Sequence, residues 1–426
     1  MPNIEDLAAL KPDSTAIIPL QDVGNEGLSP IVNRSPVTGN TAHTRPENRA
    51  YFPALDGIRA LAFVMVLGQH YAAIPWGWTG VDIFFVLSGF LITGILFDSR
   101  DDPHRVRNFY IRRTLRIFPL YYGIFLVLLF STPLIHWSWS RSWIAWPLYL
   151  GNYLRFLHPY ILGTPWQRIA DAQISGTNAH GITVYMGHFW SLCVEEQFYL
   201  FWPWVIFFVR SRRTLLWICG CSVMLMPLVR IWANTVLPQN MLNVEVLYRV
   251  TPFRIDALLL GGLIALWYRG TQRNAMLKIA HWLFWLCAAI SAVYLALTLH
   301  HHRDYIYPAW KFTCGLSFID LFAASALVVA LQPGSVLYRL FKLRPLRWLG
   351  RISYGAYVFH DLFHGALLRL LNRTHLLEHI YGAQEHARYA TALIALVLTC
   401  ALAWLSFRFF ETPFLNLKER WTIRTS

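Results

Sequence analysis

Stretches of about twenty mostly apolar residues recur through most of this 426-residue chain, near 55–74, 80–98, 117–135, 190–209, 214–233, 251–268, 280–299, 311–331, 352–371 and 389–409. As an α-helix, a run of that length crosses the roughly 30 Å hydrocarbon core of a bilayer. Lipid offers no water to backbone amides, so helices that satisfy their own hydrogen bonds are the expected solution. The predicted fold class is therefore all-α, a polytopic membrane helix bundle of about ten transmembrane helices. Only 14% of the residues are charged, against about a quarter in soluble domains.

The segments between the runs set the direction of the bundle. Lys and Arg number six in 100–116, three in 210–213, three in 269–278 and five in 338–351, but none in 71–79, three in the long 136–189 and one in 234–250. The positive-inside rule makes the dense segments cytoplasmic, and both termini with them. Residues 1–48 are polar, rich in Pro, Asn and Ser, and have neither the basic nor the apolar region of a signal peptide; they are expected to form a disordered tail. A membrane domain is expected over 49–415 and a short cytoplasmic tail over 416–426.

The net charge of +14 is spread between the apolar runs, which removes the case for nucleic acid. The six cysteines lie scattered in apolar segments without CxxC spacing, and HExxH, P-loop, GxGxxG and GxSxG patterns are absent. No metal site is expected. HWSWSRSWIAWP, with four tryptophans in ten residues, reads first as an aromatic belt at the outer interface and second as a stacking surface for a sugar.

Charges at bilayer depth are costly, so each marks a candidate site. In DGIRALAFVMVLGQHY, Arg59 falls near the cytoplasmic face and His70 near the external end. Eleven residues separate them by about 16 Å along a helix and return them to nearly the same side. Asp82, Glu195, Arg254 and Asp256 all fall toward the external ends of their runs, and His360 in SYGAYVFH is a further candidate for the same cluster. Glu196 reads as an acid at the positive end of a helix dipole. Arg254 and Asp256, two residues apart, point to different sides of a helix and are expected to pair with other spans. A histidine and a carboxylate at one face are general-base equipment, and a basic segment at the other suits phosphates.

LDGIRALAFVMVLGQH, GVDIFFVLSGFLIT, FYIRRTLRIFPLYY, WSLCVEEQFYLFWP, FRIDALLLG, ISYGAYVFH and FETPF occur in that order. On these signatures the chain, over about 51–415, resembles the acyltransferase 3 group of integral-membrane acyltransferases, which includes O-antigen and exopolysaccharide O-acetylases. The resemblance implies transfer of an acyl group, usually acetyl, from cytoplasmic acyl-CoA to a hydroxyl of a glycan or lipid-linked sugar on the external side. It implies a place in the bacterial inner membrane. It makes His70 the catalytic residue of an Arg/Lys-X10-His motif that begins at Arg59, matches Arg112, Arg113 and Arg116 to a basic motif, and matches Glu195 to the acid of WSLxVE.

These expectations join into one mechanism. The arginines hold the phosphates of CoA, with Arg112 and Arg116 on one side of a helix. A pantetheine arm on the order of 15–20 Å long reaches toward His70. His70 deprotonates the acceptor or carries the acyl group itself, and Glu195 orients its ring. Because the chain ends shortly after FETPF, without the soluble domain some relatives carry, a stand-alone transferase is expected. The alternatives are a proton-coupled transporter built on the same His, Glu and Asp cluster, and a membrane scaffold.

Overall fold

The computed structural model describes residues 52–74, 76–135, 141–154, 176–177, 183–184, 186–237, 241–301, 308–362, 364–367 and 384–423. The predicted tail over 1–48 lies outside them, as do Trp137 and Trp139 of the tryptophan-rich segment. In chain order the helices are α1 (Pro53–Tyr71), α2 (Gly80–Asp98), α3 (Arg105–Ile135), α4 (Trp190–Phe208), α5 (Arg212–Val236), α6 (Met241–Arg249) and α7 (Ile255–Tyr268). They continue with α8 (Arg273–His301), α9 (Pro308–Phe312), α10 (Cys314–Ala330), α11 (Val336–Phe341), α12 (Arg344–Phe359), α13 (Gln384–Leu405) and α14 (Thr412–Trp421). The one strand pairing among the described residues joins Gly176–Thr177 to Thr183–Val184, antiparallel.

This is an all-α membrane protein. Among the described residues, five helical stretches are long and apolar enough to cross a bilayer: Gly77–Asp98, Arg105–Leu134, Arg212–Val236, Arg273–Thr298 and Arg388–Trp421. Their outward faces match that solvent. On α5, Trp217, Met224, Leu228 and Trp232 are all exposed, and on α8 so are Trp282, Trp285 and Val293; water tolerates no such continuous apolar surface on a monomer. Toward the centre the apolar residues of α2 and α7 are buried or half-buried, and none is exposed.

α2 and α7 lie close because each offers a glycine to the other's backbone. A Cβ on Gly89 would sit 1.9 Å from the Leu258 carbonyl oxygen, and one on Gly261 2.0 Å from that of Val86. Small residues at such contacts let membrane helices approach and gain dispersion energy. Gly261→Ala is therefore expected to lower the thermal stability of the detergent-purified protein, by about 1–3 kcal/mol for an overpacked contact. Gly220→Ala, whose Cβ meets nothing within 4 Å, is the control, and equal melting of the two variants would contradict this account.

Two boundaries differ from the sequence reading, for one reason. The basic segments read as loops are helical: Arg105–Arg116 forms the first turns of α3, and Arg344–Arg351 those of α12. Arginine is a good helix former, and a helix that continues past the hydrocarbon keeps its hydrogen bonds at no cost. α12 thus starts earlier than 352 and ends at Phe359, so that His360 is its C-cap. A turn follows at 360–362.

Short 3-10 segments prepare the site. Gly77–Thr79 leads into α2, Gly187–Phe189 into α4 and Thr251–Phe253 into α7. Each brings polar side chains to the start of an otherwise apolar helix. At the other end of the chain, a π-helical segment Ser406–Glu411 joins α13 to α14 and holds the buried Glu411 against Ser406 at 2.9 Å.

Candidate active site

His70 occupies the last turn of α1, where the turn after α12 and the 3-10 segment before α4 also arrive. Its Nδ1 lies 3.3 Å from Asp361 Oδ1. His364 Nδ1 approaches the same oxygen at 3.3 Å, and His188 Nδ1 stands 3.5 Å from Asp361 Oδ2. The His360 ring is 5.1 Å from that of His70 and 4.8 Å from that of His188. One carboxylate is thus ringed by histidines from three separate segments.

The surroundings fix these rings. His188 Nε2 donates to the Val358 carbonyl at 3.0 Å, and His360 Nδ1 to that of Tyr357 at 2.6 Å. A carbonyl only accepts, so each contact assigns the ring proton to the nitrogen that makes it. The Tyr71 hydroxyl donates to the His360 carbonyl at 2.8 Å, and its ring stacks on His364 with centroids 4.4 Å apart. The side chain of His188 is 2% exposed, that of Asp361 11% and that of His70 33%, so His70 is the member an incoming molecule meets first.

Toward the Arg59 end of α1 a cavity of about 100 Å³ is lined by Arg59, Arg113, Arg116, Ser88 and Glu195, with Tyr357 also in its wall. Arg59 pairs with Asp56 at 2.8 Å, and the Arg113 guanidinium lies over the Tyr199 ring, 3.7 Å from its centroid. Such a set of guanidinium groups suits an anion with several oxygens. Tyr357 separates this cavity from the histidines. Its hydroxyl donates to the His188 carbonyl at 2.9 Å and lies 2.6 Å from Ser191 Oγ.

Glu195 is where the expected constellation divides. Ser88, midway along α2, donates to its carboxylate, which places Glu195 among the arginines; the carboxylate beside His70 is Asp361. The reading of the sequence set Glu195 about one turn below the end of its helix, at the level of His70. Yet its partner Ser88 lies six residues beyond Asp82, about 9 Å deeper along α2. The basic motif divides as well: Arg113 and Arg116, three apart, line the cavity, while Arg112 does not. The expected Arg112/Arg116 face is therefore replaced by Arg113/Arg116.

The other supporting residues form a third, separate group. Arg254 pairs with Asp82, and Arg230 with Asp256. All four are at most 1% exposed, and Asp320 is buried in the same region with no hydrogen-bond partner for either oxygen. Arg254 and Asp256 thus pair with other helices, as their spacing implied, but away from the histidines. Of the supporting residues, only His360 joins His70. Trp146, a candidate for sugar stacking, is buried, and its carbonyl accepts from Tyr121 at 2.7 Å.

Sequence reasoning missed His188, Asp361, His364, Arg230 and Asp320. A signal existed for most. HDLFH over 360–364 holds three polar residues within an apolar span, Arg230 is the lone charge of the run 214–233, and Asp320 is the one acid of the run 311–331.

Residues 52–408 match a family model described as an acyltransferase domain. Peptidoglycan O-acetyltransferase OatA of Listeria monocytogenes is 28% identical over 383 residues, 86% of this chain and 56% of that protein. The putative peptidoglycan O-acetyltransferase YrhL of Bacillus subtilis is 29% identical, over 87% of this chain and 56% of its own length. A putative O-acetyltransferase of Staphylococcus aureus is 27% identical over 87% of this chain and 58% of its own. The chain therefore spans a little over half the length of these curated relatives. No solved structure matches.

Proposed function

The chain belongs to the acyltransferase-domain family, and from that premise we propose that it is a membrane O-acyltransferase. It moves an acyl group, acetyl by analogy with its relatives, from cytoplasmic acyl-CoA to a hydroxyl of a cell-envelope glycan or lipid-linked sugar. In this reading about ten helices cross a bacterial inner membrane with both termini inside, the Arg59 end of α1 faces the donor, and the His70 end faces the acceptor. The observation that carries it is the contact of His70 Nδ1 with Asp361 at 3.3 Å, at the partly exposed end of the helix whose other end lines the arginine cavity.

The chemistry follows from the ring. With Nδ1–H held by Asp361, the lone pair of Nε2 is left for the acceptor hydroxyl. As that oxygen bonds to the thioester carbonyl, Nε2 takes its proton, the C–S bond breaks, and the CoA thiolate leaves and recovers the proton. Attack by Nε2 itself, giving a transient acyl-histidine, requires the same two residues. Arg59 and His70 are about 16 Å apart along α1, within reach of a pantetheine arm whose phosphates rest on Arg113 and Arg116. Tyr357 stands in that path, and its side chain must move for the thioester to pass.

Acetyl-CoA-dependent release of free CoA by the purified protein, stimulated by an envelope glycan, tests the reading; ion-driven flux in vesicles without CoA turnover would replace it with the transporter. Arg113→Ala is expected to raise the KM for acetyl-CoA on the order of tenfold, the loss of one charge-assisted hydrogen bond, with kcat little changed. An unaltered KM would remove Arg113 from donor binding.

A further inference from the structure

His70, Asp361 and His364 offer one nitrogen, one carboxylate and one nitrogen whose ligand atoms all lie within 4.8 Å of one another. From this geometry we infer that the three residues form a zinc site, occupied in competition with acyl transfer. Zinc binds imidazole nitrogen and carboxylate oxygen at about 2.0–2.2 Å, and ligands at the corners of a tetrahedron of that size are about 3.3–3.5 Å apart. The two nitrogen-to-oxygen distances, His70 Nδ1 and His364 Nδ1 to Asp361 Oδ1, are both 3.3 Å. They match two edges of a zinc tetrahedron, and the third ligand pair lies within 4.8 Å.

The donor set and its support suit that ion. Two imidazoles and a carboxylate, with a fourth position left to water, is a zinc-type arrangement, whereas magnesium and calcium favour oxygen ligands. One ligand ring is held by packing. His364 is stacked on Tyr71 at 4.4 Å. The second oxygen of Asp361 lies 3.5 Å from the buried His188 Nδ1 and is not needed for the ion. The side chain of His70 is one-third exposed, so an ion has access.

The consequence for catalysis rests on the reading of His70 as the base. Zinc on Nδ1 uses the lone pair there and moves the ring proton to Nε2. That takes away the lone pair meant for the acceptor hydroxyl and displaces Asp361 from its contact with Nδ1–H. The ion is thus an inhibitor, in exchange with the proton that the active dyad needs. No sequence spacing announces it, since the cysteines have no metal spacing and HExxH is absent; the site forms only when the end of α1 meets the turn after α12.

The test uses the full chain in detergent, purified through a tag free of histidine. Titration calorimetry with zinc chloride is expected to show one site, with magnesium chloride giving no heat above dilution. His364→Phe keeps a ring on Tyr71 but has no nitrogen, and is expected to weaken binding by at least about tenfold. Cobalt chloride is expected to give the visible bands of tetrahedral Co(II) in the parent protein and not in His364→Phe. In the acetyl-transfer assay, the ratio of rates with and without zinc is expected to fall in the parent, recover with a chelator, and stay near one in His364→Phe. Absence of the site from the parent, or binding undiminished in His364→Phe, overturns the inference. Zinc that binds with the expected dependence on His364 yet leaves transfer unchanged keeps the metal site and overturns the reading of His70 as the base.

Discussion

His70→Ala is expected to lower kcat for acetyl transfer by 10²–10⁴-fold, on the order of what a positioned general base supplies, while the protein inserts and elutes as the parent does. The side chain is one-third exposed, and His364 Nδ1 stays 3.3 Å from the same Asp361 oxygen, so its removal does not leave that carboxylate alone. Asp361→Asn separates orientation from chemistry. Its amide oxygen can still accept from His70 Nδ1, and its amide nitrogen can donate to His188 Nδ1, so the rings keep their places while the negative charge is lost. The expected loss is smaller, about 10–100-fold in kcat for one weakened hydrogen bond to a charged group, and the KM for acetyl-CoA, whose phosphates lie at the other end of α1, stays unchanged. Glu195→Gln provides the contrast. Placed among Ser88, Arg59 and Arg113, it is expected to act on donor KM. The opposite pattern, with Asp361→Asn silent and Glu195→Gln losing kcat at constant KM, would restore Glu195 as the partner of His70. The measurement is steady-state CoA release over a range of acetyl-CoA at fixed acceptor.

The parts of this arrangement that could be read from the sequence are those a single helix determines. The rise and periodicity of α1 place Arg59 and His70 at opposite ends of nearly one side, whatever the helix packs against. The pairing of Arg254 and Asp256 with other helices likewise follows from their spacing of two. What the sequence hid depends on where helices stop and how deep each one sits. The end of α12 at Phe359 is set by a local turn in which the Leu362 amide donates to the Phe359 carbonyl and the His364 amide to that of Asp361; hydropathy alone carries the span onward through HDLFH. The depth of Glu195 depends on a 3-10 segment that starts the polar end of α4 at Gly187, and on an opposing serine in the middle of α2, neither of which periodicity can locate. Arginine also reads as loop in a hydropathy profile although it forms helix readily, which is why α3 starts before the apolar run at 117; helical spacing puts Arg112 and Arg116 on one side but does not say which arginines line the cavity, and those are Arg113 and Arg116.

The largest structural effect is expected at the buried ion pair between Asp82 of α2 and Arg254 at the start of α7. Arg254 and Asp82 are both 0% exposed and paired with each other. Removing one partner of a buried pair leaves a charge with no solvent, at a cost of about 3–5 kcal/mol. Arg254→Met strands Asp82 in a region that also holds Asp256 and Asp320, so negative charge accumulates where one guanidinium had offset it. Thermal unfolding in detergent is expected to show Arg254→Met as the least stable of the single variants discussed, below Gly261→Ala. Asp82→Asn is expected to be milder, because the amide oxygen still accepts from Arg254 and the remaining acids continue to balance that charge. The double replacement Arg254→Met with Asp82→Leu removes both charges and is expected to recover much of the loss, since apolar side chains of similar volume often replace a buried pair without penalty. That recovery distinguishes an electrostatic role from a packing one: if the double variant is no more stable than Arg254→Met alone, the guanidinium matters by filling space against Phe85 and Tyr248, whose rings it faces at 5.5 and 5.2 Å. The same double variant also addresses function. Arg254 faces Phe85, whose ring also lines the arginine cavity, but among the described residues the pair bonds to none of the lining arginines and none of the histidines, so acetyl transfer per folded molecule is expected to survive the exchange. A stable double variant without activity would instead make this ion network part of the catalytic apparatus.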